Sequence, residues 1–252
     1  MAKPVQVPSL ETLVALKLVT DALEEAGGPL TATTLKRTCG VAPSLFEGAV
    51  DYACTAKILQ WQERNYYKLL KPYVVPEEAY YDTVLASLEQ LWLEDGYERS
   101  LFYIENTSRR DSKIVGAWTR PDLTMVSHRK FSWTMGTEFD VVTFEIKRPD
   151  SANVLAVFEA LSHAAAATRA YCVFPVKHDA WRTENPAQER RVREECVRHG
   201  VGLILVDTSQ TPPLSHHLLK ASRREIDHEK CSDFLDAVVS ASGKKRISEW
   251  KS

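Results

Sequence analysis

Long apolar segments are absent from this 252-residue sequence. No apolar run approaches the roughly 20 residues that a membrane-spanning helix needs, so we expect no membrane partner. The first eight residues lack the apolar region of a secretory signal, and we therefore expect a cytoplasmic protein. An excess of positive charge is missing too, because 32 Lys and Arg stand against 34 Asp and Glu. This balance excludes a polycationic nucleic-acid coat, although it allows a local basic patch.

Paired cysteine motifs and glycine-rich loops are missing as well. The five cysteines are odd in number, widely spaced and without a Cys-x-x-Cys pair, which argues against a disulfide framework and a structural zinc site. No Gly-rich phosphate loop and no Gly-x-Ser-x-Gly pattern occurs, so the usual signatures of nucleotide-binding folds and of α/β serine hydrolases are lacking. We expect small buried thiols at Cys39, Cys54, Cys172, Cys196 and Cys231.

Residues 1–73 predict a small domain of three short helices followed by a β-hairpin. Leu13, Leu16 and Val19 recur at helical spacing, which indicates the first helix. Thr31 and Pro43 are typical of the starts of the next two helices. This order resembles a winged helix-turn-helix, with the third helix as the recognition element. The expected elements are helices 9–26, 31–38 and 43–58 and a hairpin over 59–70, with its turn near 63–65.

The basic side chains of this first domain could reach the phosphates of DNA. Its charge is nearly balanced, and winged helices also serve as dimerisation or peptide-binding modules. A solvated face and a homodimer interface therefore stay open as alternatives to DNA contact. The candidate nucleic-acid-binding residues are Lys36, Arg37, Lys57, Arg64 and Lys68.

Residues 74–252 predict a second domain of the α/β class. Its elements follow the order helix, three strands, helix, strand, helix, strand, which is typical of a mixed sheet covered by helices. The Pro-rich remainder, with a helix around 230–241, would pack back on the sheet. The expected helices are 77–95, 152–168 and 186–199, and the expected strands are 99–105, 114–126, 138–148, 170–176 and 201–207.

Two charged residues lie on a strand that otherwise looks central and buried. Because side chains alternate across a strand, Glu145 and Lys147 point to the same side of the segment 139–147. Burying a carboxylate and an ammonium costs several kcal/mol unless they are paired or bound to a metal. A plain Glu–Lys ion pair is one explanation, and a metal site is the other.

A second carboxylate, Asp122, favours the metal site. Asp122 follows Pro121 and precedes Glu145 by 23 positions (145 − 122), which leaves room for a turn and a return strand. If the two strands are neighbours, the two carboxylates lie side by side and offer the oxygen ligands that Mg²⁺ prefers. Lys147 would then lie beside a metal-bound water, where it could orient that water and stabilise charge that develops on phosphorus.

Pro121-Asp122 followed by Glu145-Ile146-Lys147 resembles the PD-(D/E)XK motif of the restriction-endonuclease-like nucleases. The element order over about residues 77–207 is similar to the core of that superfamily. The resemblance implies a restriction-endonuclease-like mixed sheet flanked by helices, with Asp122 and Glu145 as ligands of Mg²⁺ or Mn²⁺ and Lys147 as the catalytic lysine. It also implies a further carboxylate from the helix before the sheet, for which Glu89 is our candidate and Glu94 and Glu98 are rivals.

Other charged residues have candidate roles around this motif. Glu159 and His163 are four positions apart on the helix that follows the motif strand, so they share a face and could approach the metal or act as a structural pair. Asp140 faces away from Glu145 by strand parity, and we interpret it as structural. Arg148 could reach a phosphate or remain a surface residue.

Positive charge is concentrated in residues 99–130, where seven Lys and Arg stand against three Asp and Glu. The loops around 106–113 and 127–137 could straddle a nucleic-acid backbone, and a solvated surface is the alternative for each of their basic residues. Phe131 and Trp133 in the second loop could stack on bases or be buried. The remaining candidate nucleic-acid-binding residues are Arg109, Arg110 and Arg120.

Together these features predict a metal-dependent endonuclease that acts on nucleic acid, with double-stranded DNA as the expected substrate. With its winged-helix front, the chain resembles nucleases of bacterial restriction and anti-phage defence. Two alternatives stay open: a catalytically inactive DNA-binding regulator on the same fold, and a dimerising interaction protein. Likeness of fold alone does not decide among them.

Overall fold

The computed structural model describes residues 8–108 and 120–251. The chain forms two compact units that divide between Ala79 and Tyr80, whereas the sequence placed the boundary after residue 73. Throughout the described ranges, every helix is too short or too polar to cross a bilayer.

The first unit contains three helices and a three-stranded antiparallel sheet. Ser9 and Thr31 cap the first two helices with their side-chain oxygens, as expected for Thr31. The third helix ends earlier than expected, because Lys57 adopts a left-handed φ of 54° that turns the chain away before Ile58. The elements are α1 (Leu10–Ala26), β1 (Leu30–Thr31), α2 (Ala32–Cys39), α3 (Pro43–Thr55), β2 (Leu59–Gln62) and β3 (Tyr66–Leu69).

The small sheet has the strand order β1-β3-β2. Strands β2 and β3 form the expected hairpin, and Arg64 and Asn65 at its turn both have positive φ, as tight hairpin turns require. Strand β1 is too short to be read from the sequence. The three helices bury Leu16, Leu35 and Phe46 in one apolar core, so this unit has a hydrophobic centre of its own.

The second unit is an α/β structure whose six-stranded mixed sheet has the order β4-β5-β6-β7-β8-β9. The β6–β7 and β7–β8 pairs are parallel and the other pairs are antiparallel. Its strands are β4 (Phe102–Asn106), β5 (Leu123–Lys130), β6 (Thr137–Ile146), β7 (Arg169–Phe174), β8 (Gly202–Asp207) and β9 (Leu214–Leu219). Its helices are α4 (Tyr81–Glu94), α5 (Leu155–His163), α6 (His178–Glu184), α7 (Pro186–His199), α8 (His228–Val238) and α9 (Ala241–Ser248).

Helices flank this sheet on both faces. On one face, Trp92 of α4 makes an edge contact with Phe144 of β6, at 5.4 Å between ring centroids. On the other face, Ala156 and Ala160 of α5 pack with Cys172 of β7 and the buried side of α7. The alternation along β6 therefore directs Phe144 toward α4 and the neighbouring Glu145 toward α5.

Several element boundaries differ from the sequence expectations. Asp122 lies just before β5, although the sequence placed it inside a strand over 114–126, of which residues 114–119 lie outside the described ranges. Strand β6 ends at Ile146, so Lys147 and Arg148 follow it. Helix α6 and strand β9 were not expected, because residues 178–184 form a short polar helix and β9 follows a Pro-rich segment and contains two histidines.

The register of β5 and β6 determines where the motif residues lie. Leu123 pairs with Phe144, which places Asp122 opposite Glu145 at the end of the two strands. The loop 131–136 joins the other ends of the same strands, about 25 Å away along β5 at ~3.3 Å per residue. The loop within 127–137 therefore lies away from the motif residues, because an antiparallel hairpin places its turn far from its open ends.

Candidate active site

Asp122 is held at the open end of the β5–β6 pair by three elements of the fold. Its main-chain oxygen accepts a hydrogen bond from the Thr107 N–H at 2.8 Å, which continues the pairing of β4 with β5. Its carboxylate Oδ2 accepts from the Ile146 N–H at 2.7 Å, and Oδ1 accepts from the Tyr81 hydroxyl at 2.5 Å. The side chain is buried. These contacts fix both oxygens of the carboxylate in one orientation.

Glu145 lies opposite Asp122 and is also buried. Its Oε1 accepts a hydrogen bond from Lys147 Nζ at 2.6 Å, and its Oε2 is 3.2 Å from His163 Nε2. A further side-chain hydrogen bond joins Glu145 to Glu159. The motif carboxyl thus contacts the lysine of its own strand end and two side chains of α5.

Lys147 connects the motif to helix α5. Its Nζ is 2.6 Å from Glu145 Oε1 and 2.7 Å from Glu159 Oε2, and its side chain is only 17% exposed. The contact with Glu145 agrees with the sequence prediction that Glu145 and Lys147 point to the same side. This contact alone is equally consistent with the alternative of a plain Glu–Lys ion pair without a metal. Glu159 and His163 reach the same cluster because a spacing of four places them on one face of α5.

Burial dominates the electrostatics of this cluster. It raises the pKa of Glu145 to about 8, against the opposing charge of Lys147, and it lowers the pKa of His163 to about 4. Burial also acts to raise the pKa of Glu159, but hydrogen bonds from Glu145 and Lys147 outweigh it and lower that pKa. At neutral pH these shifts favour a protonated Glu145, an ionised Glu159 and a neutral His163.

The chemistry of these donors suits a hard divalent cation. Burial raises the pKa of Glu145 even though the Lys147 ammonium lies beside it, and a cation that replaces the proton would add the positive charge that one lysine does not supply. Within residues 8–108 and 120–251, no set of three or more acidic, His or Cys side chains is arranged to hold a metal ion. Asp122 and Glu145 would therefore supply two protein ligands, a small number that suits Mg²⁺ because it keeps several waters.

Glu89 is our candidate for a further carboxylate. Within residues 8–108 and 120–251, it contacts neither Asp122 nor Glu145 nor Lys147. It forms an ion pair with Arg99 at 2.8 Å, and its rival Glu94 accepts a hydrogen bond from Gln90. Helix α4 instead contributes Tyr81 to Asp122, two turns before Glu89. No sequence pattern pointed to Tyr81, because an aromatic residue in the first turn of an amphipathic helix resembles an ordinary core residue.

The basic candidates divide between the two units. In the first unit, Lys36 pairs with Glu47 at 3.3 Å, and its ammonium lies over the Phe46 ring. In the second unit, Arg148 pairs with Asp150 at 2.7 Å, and Arg120 is half-buried two residues before Asp122. Arg109 and Arg110 lie outside the described residues. The remaining candidates are exposed: Arg37, Lys57, Arg64 and Lys68.

Asp140 has the structural role that strand parity indicated. It is buried on β6, where its carboxylate accepts hydrogen bonds from Thr168 Oγ1 at 2.7 Å, Arg169 Nε at 3.1 Å and Arg223 Nε at 2.9 Å. These contacts tie β6 to β7 and to the segment that follows β9. Asp140 is therefore a buried carboxylate compensated by two arginines, unlike Glu145.

The raised pKa of Glu145 predicts how stability depends on pH when no divalent cation is present. The folded state holds this proton up to about pH 8, whereas the unfolded chain releases it near 4.5, so the contribution of Glu145 declines as pH rises between these values. His163 acts in the opposite sense, but only below its ordinary pKa of 6.5. Between pH 6.5 and 8 the Glu145 contribution therefore stands without that opposition.

We expect the parent protein to lose stability relative to Glu145→Gln over pH 6.5–8, with a slope of about 1 kcal/mol per pH unit. Urea unfolding of both proteins in EDTA measures this difference. The parallel variant Glu138→Gln, on the same strand but at its other end, controls for loss of a charge. A difference between parent and Glu145→Gln that stays constant with pH would contradict the assignment.

Comparison with known proteins identifies no relative. The sequence matches no protein-family model, and it has no significant match among curated proteins. A function for this chain must therefore be inferred from its own residues and from the geometry described above.

Proposed function

We propose that this protein is a divalent-cation-dependent endonuclease that hydrolyses phosphodiester bonds in double-stranded DNA. The observation that carries the proposal is the register that places Asp122 opposite Glu145 at one end of the β5–β6 pair, where Lys147 contacts Glu145. The resemblance of these residues to the PD-(D/E)XK motif supports the same activity. It also supports a cytoplasmic role in bacterial restriction or anti-phage defence.

Each residue of the cluster has a distinct part in this reaction. A cation held by Asp122 and Glu145 would polarise the phosphodiester and lower the pKa of an attacking water. Lys147 lies against Glu145, where its ammonium can hold that water in line and stabilise the negative charge that develops on phosphorus. Glu159 keeps the ammonium in place through its own ion pair.

The first unit supports DNA as the substrate. Its three helices and hairpin have the order of a winged helix, and four of its five candidate basic side chains are exposed. Phosphate contacts from such side chains position a protein on a duplex without selecting a sequence. In this proposal the first unit recruits DNA and the second unit cuts it.

An inactive DNA-binding regulator is the second candidate, and one observation favours it. Lys147 contacts two carboxylates, and the protonated Glu145 is already satisfied by hydrogen bonds. A cluster that is neutralised internally can be purely structural. This candidate shares the DNA affinity of the first and lacks only the metal-dependent cleavage.

Cleavage assays separate these candidates. We expect the full chain to nick or cut duplex DNA with Mg²⁺ or Mn²⁺ and to be silent in EDTA. Asp122→Asn, Glu145→Gln and Lys147→Ala should each lower the rate by roughly 100-fold or more, because each removes a ligand or a charge used in the transition state. Glu138→Gln should cleave like the parent. DNA binding without cleavage, or equal rates in all variants, would reject the nuclease proposal.

The hydroxyl of Tyr81 allows a test of the metal site that does not depend on turnover. Removing a group that orients a metal ligand typically costs 10- to 100-fold in metal affinity. We therefore expect Tyr81→Phe to weaken Mn²⁺ binding within that range, measured by electron paramagnetic resonance of the free ion. Tyr171→Phe, which also removes a buried hydroxyl, should bind Mn²⁺ like the parent. Equal affinities in parent and Tyr81→Phe would show that the Tyr81 hydroxyl does not position Asp122 for a metal.

A further inference from the structure

The turn between β5 and β6 is a surface that the proposed active site does not use. We define the β5–β6 tip as residues 128–136, which comprise the last three residues of β5 and the loop that follows. Lys130 pairs with Thr137 in the last rung of the hairpin. The tip therefore lies at the opposite end of the strands from Asp122, about 25 Å away along β5.

Apolar side chains at the tip are turned into solvent. Trp133 is 97% exposed and Met135 is fully exposed, and Phe131 is 42% exposed. Three large apolar residues are exposed within this one turn, whereas single exposed apolar residues scattered over a surface are normal. Apolar surface of this kind gains free energy when a partner covers it.

The base of the tip is positively charged. His128, Arg129 and Lys130 follow one another at the end of β5. The Arg129 guanidinium lies over the rings of Tyr97 and Phe131, at 4.9 and 5.2 Å from their centroids. Within residues 8–108 and 120–251, no carboxylate lies within ion-pair distance of Arg129 or Lys130. Their charge is therefore available to an anionic partner.

We infer that the β5–β6 tip is a second contact with the DNA substrate, apart from the site of cleavage. The major groove admits a two-stranded β-ribbon, and apolar side chains of DNA-binding proteins can wedge against base steps. In this arrangement Arg129 and Lys130 contact phosphates while Trp133 and Met135 reach the bases. A duplex that runs parallel to β5 and reaches both ends of the β5–β6 pair would meet the tip about seven base pairs from the scissile bond, at ~3.4 Å per pair.

This inference rests on the proposed nuclease function and adds a requirement on substrate length. A duplex that extends about ten base pairs past the cleavage site on the tip side would reach the tip, whereas one that extends about four would not. The affinity gained through the tip should therefore appear only with the longer duplex. No residue of the proposed active site is altered by changes at the tip.

The test measures binding of the full chain to these two duplexes by fluorescence anisotropy, in EDTA so that no cleavage occurs. We expect Trp133→Ala to weaken binding of the long duplex by about 10-fold, in line with the usual cost of losing one stacked side chain. Lys130→Gln should lower the slope of log affinity against log salt by about one. Val197→Ala, which truncates another exposed apolar residue, should bind like the parent.

The possible results distinguish a failure of this inference from a failure of the proposed nuclease function. If the parent binds and cuts DNA but the tip variants bind the long duplex like the parent, the inference is wrong and the nuclease proposal stands. If the parent neither binds nor cuts DNA, the proposed function fails and takes the inference with it. Loss of binding to vesicles of anionic phospholipid, with DNA binding unchanged, would overturn the inference in favour of a membrane surface. Equal losses on both duplexes would also overturn it.

Discussion

The buried carboxyl of Glu145 is the constraint around which this end of the sheet is organised. It lies on a strand that is covered on both faces, so its charge cannot be stabilised by water. One lysine only partly offsets that burial, so the pKa of Glu145 is raised, while interactions with Glu145 and Lys147 lower the pKa of Glu159. Lys147, Glu159 and His163 each interact with this one group.

The same strands carry two surfaces of different chemistry at their two ends. The open end of the β5–β6 pair collects carboxylates and a lysine, which suits a metal and a reacting phosphate. The closed end carries Arg129, Lys130 and exposed aromatic side chains, which suit a phosphate backbone and bases. If the proposed nuclease function holds, the antiparallel pair sets the separation of these surfaces, and binding would depend on the length of the duplex.

Much of this arrangement follows from local rules of sequence. The alternation of side chains along a strand predicted that Glu145 and Lys147 share one side and that Asp140 does not. The helical spacing of four predicted that Glu159 and His163 share one face of α5. These rules predicted neither the contact of Tyr81 with Asp122 nor the position of Glu89 away from the motif residues. Which face of α4 meets Asp122 depends on how that helix packs on the sheet, and periodicity does not determine this rotation. Strand β9 was missed because its two histidines and the prolines before it weaken the usual strand pattern.

One anchor of Asp122 is a main-chain group, the N–H of Ile146. Every amino acid except proline supplies this donor, so substitutions at position 146 can alter packing without releasing the carboxylate. The position of the Asp122 carboxylate thus depends little on which side chain is present at position 146. Proteins of low sequence identity could retain this hydrogen bond to the carboxylate, because it needs no particular side chain next to the glutamate.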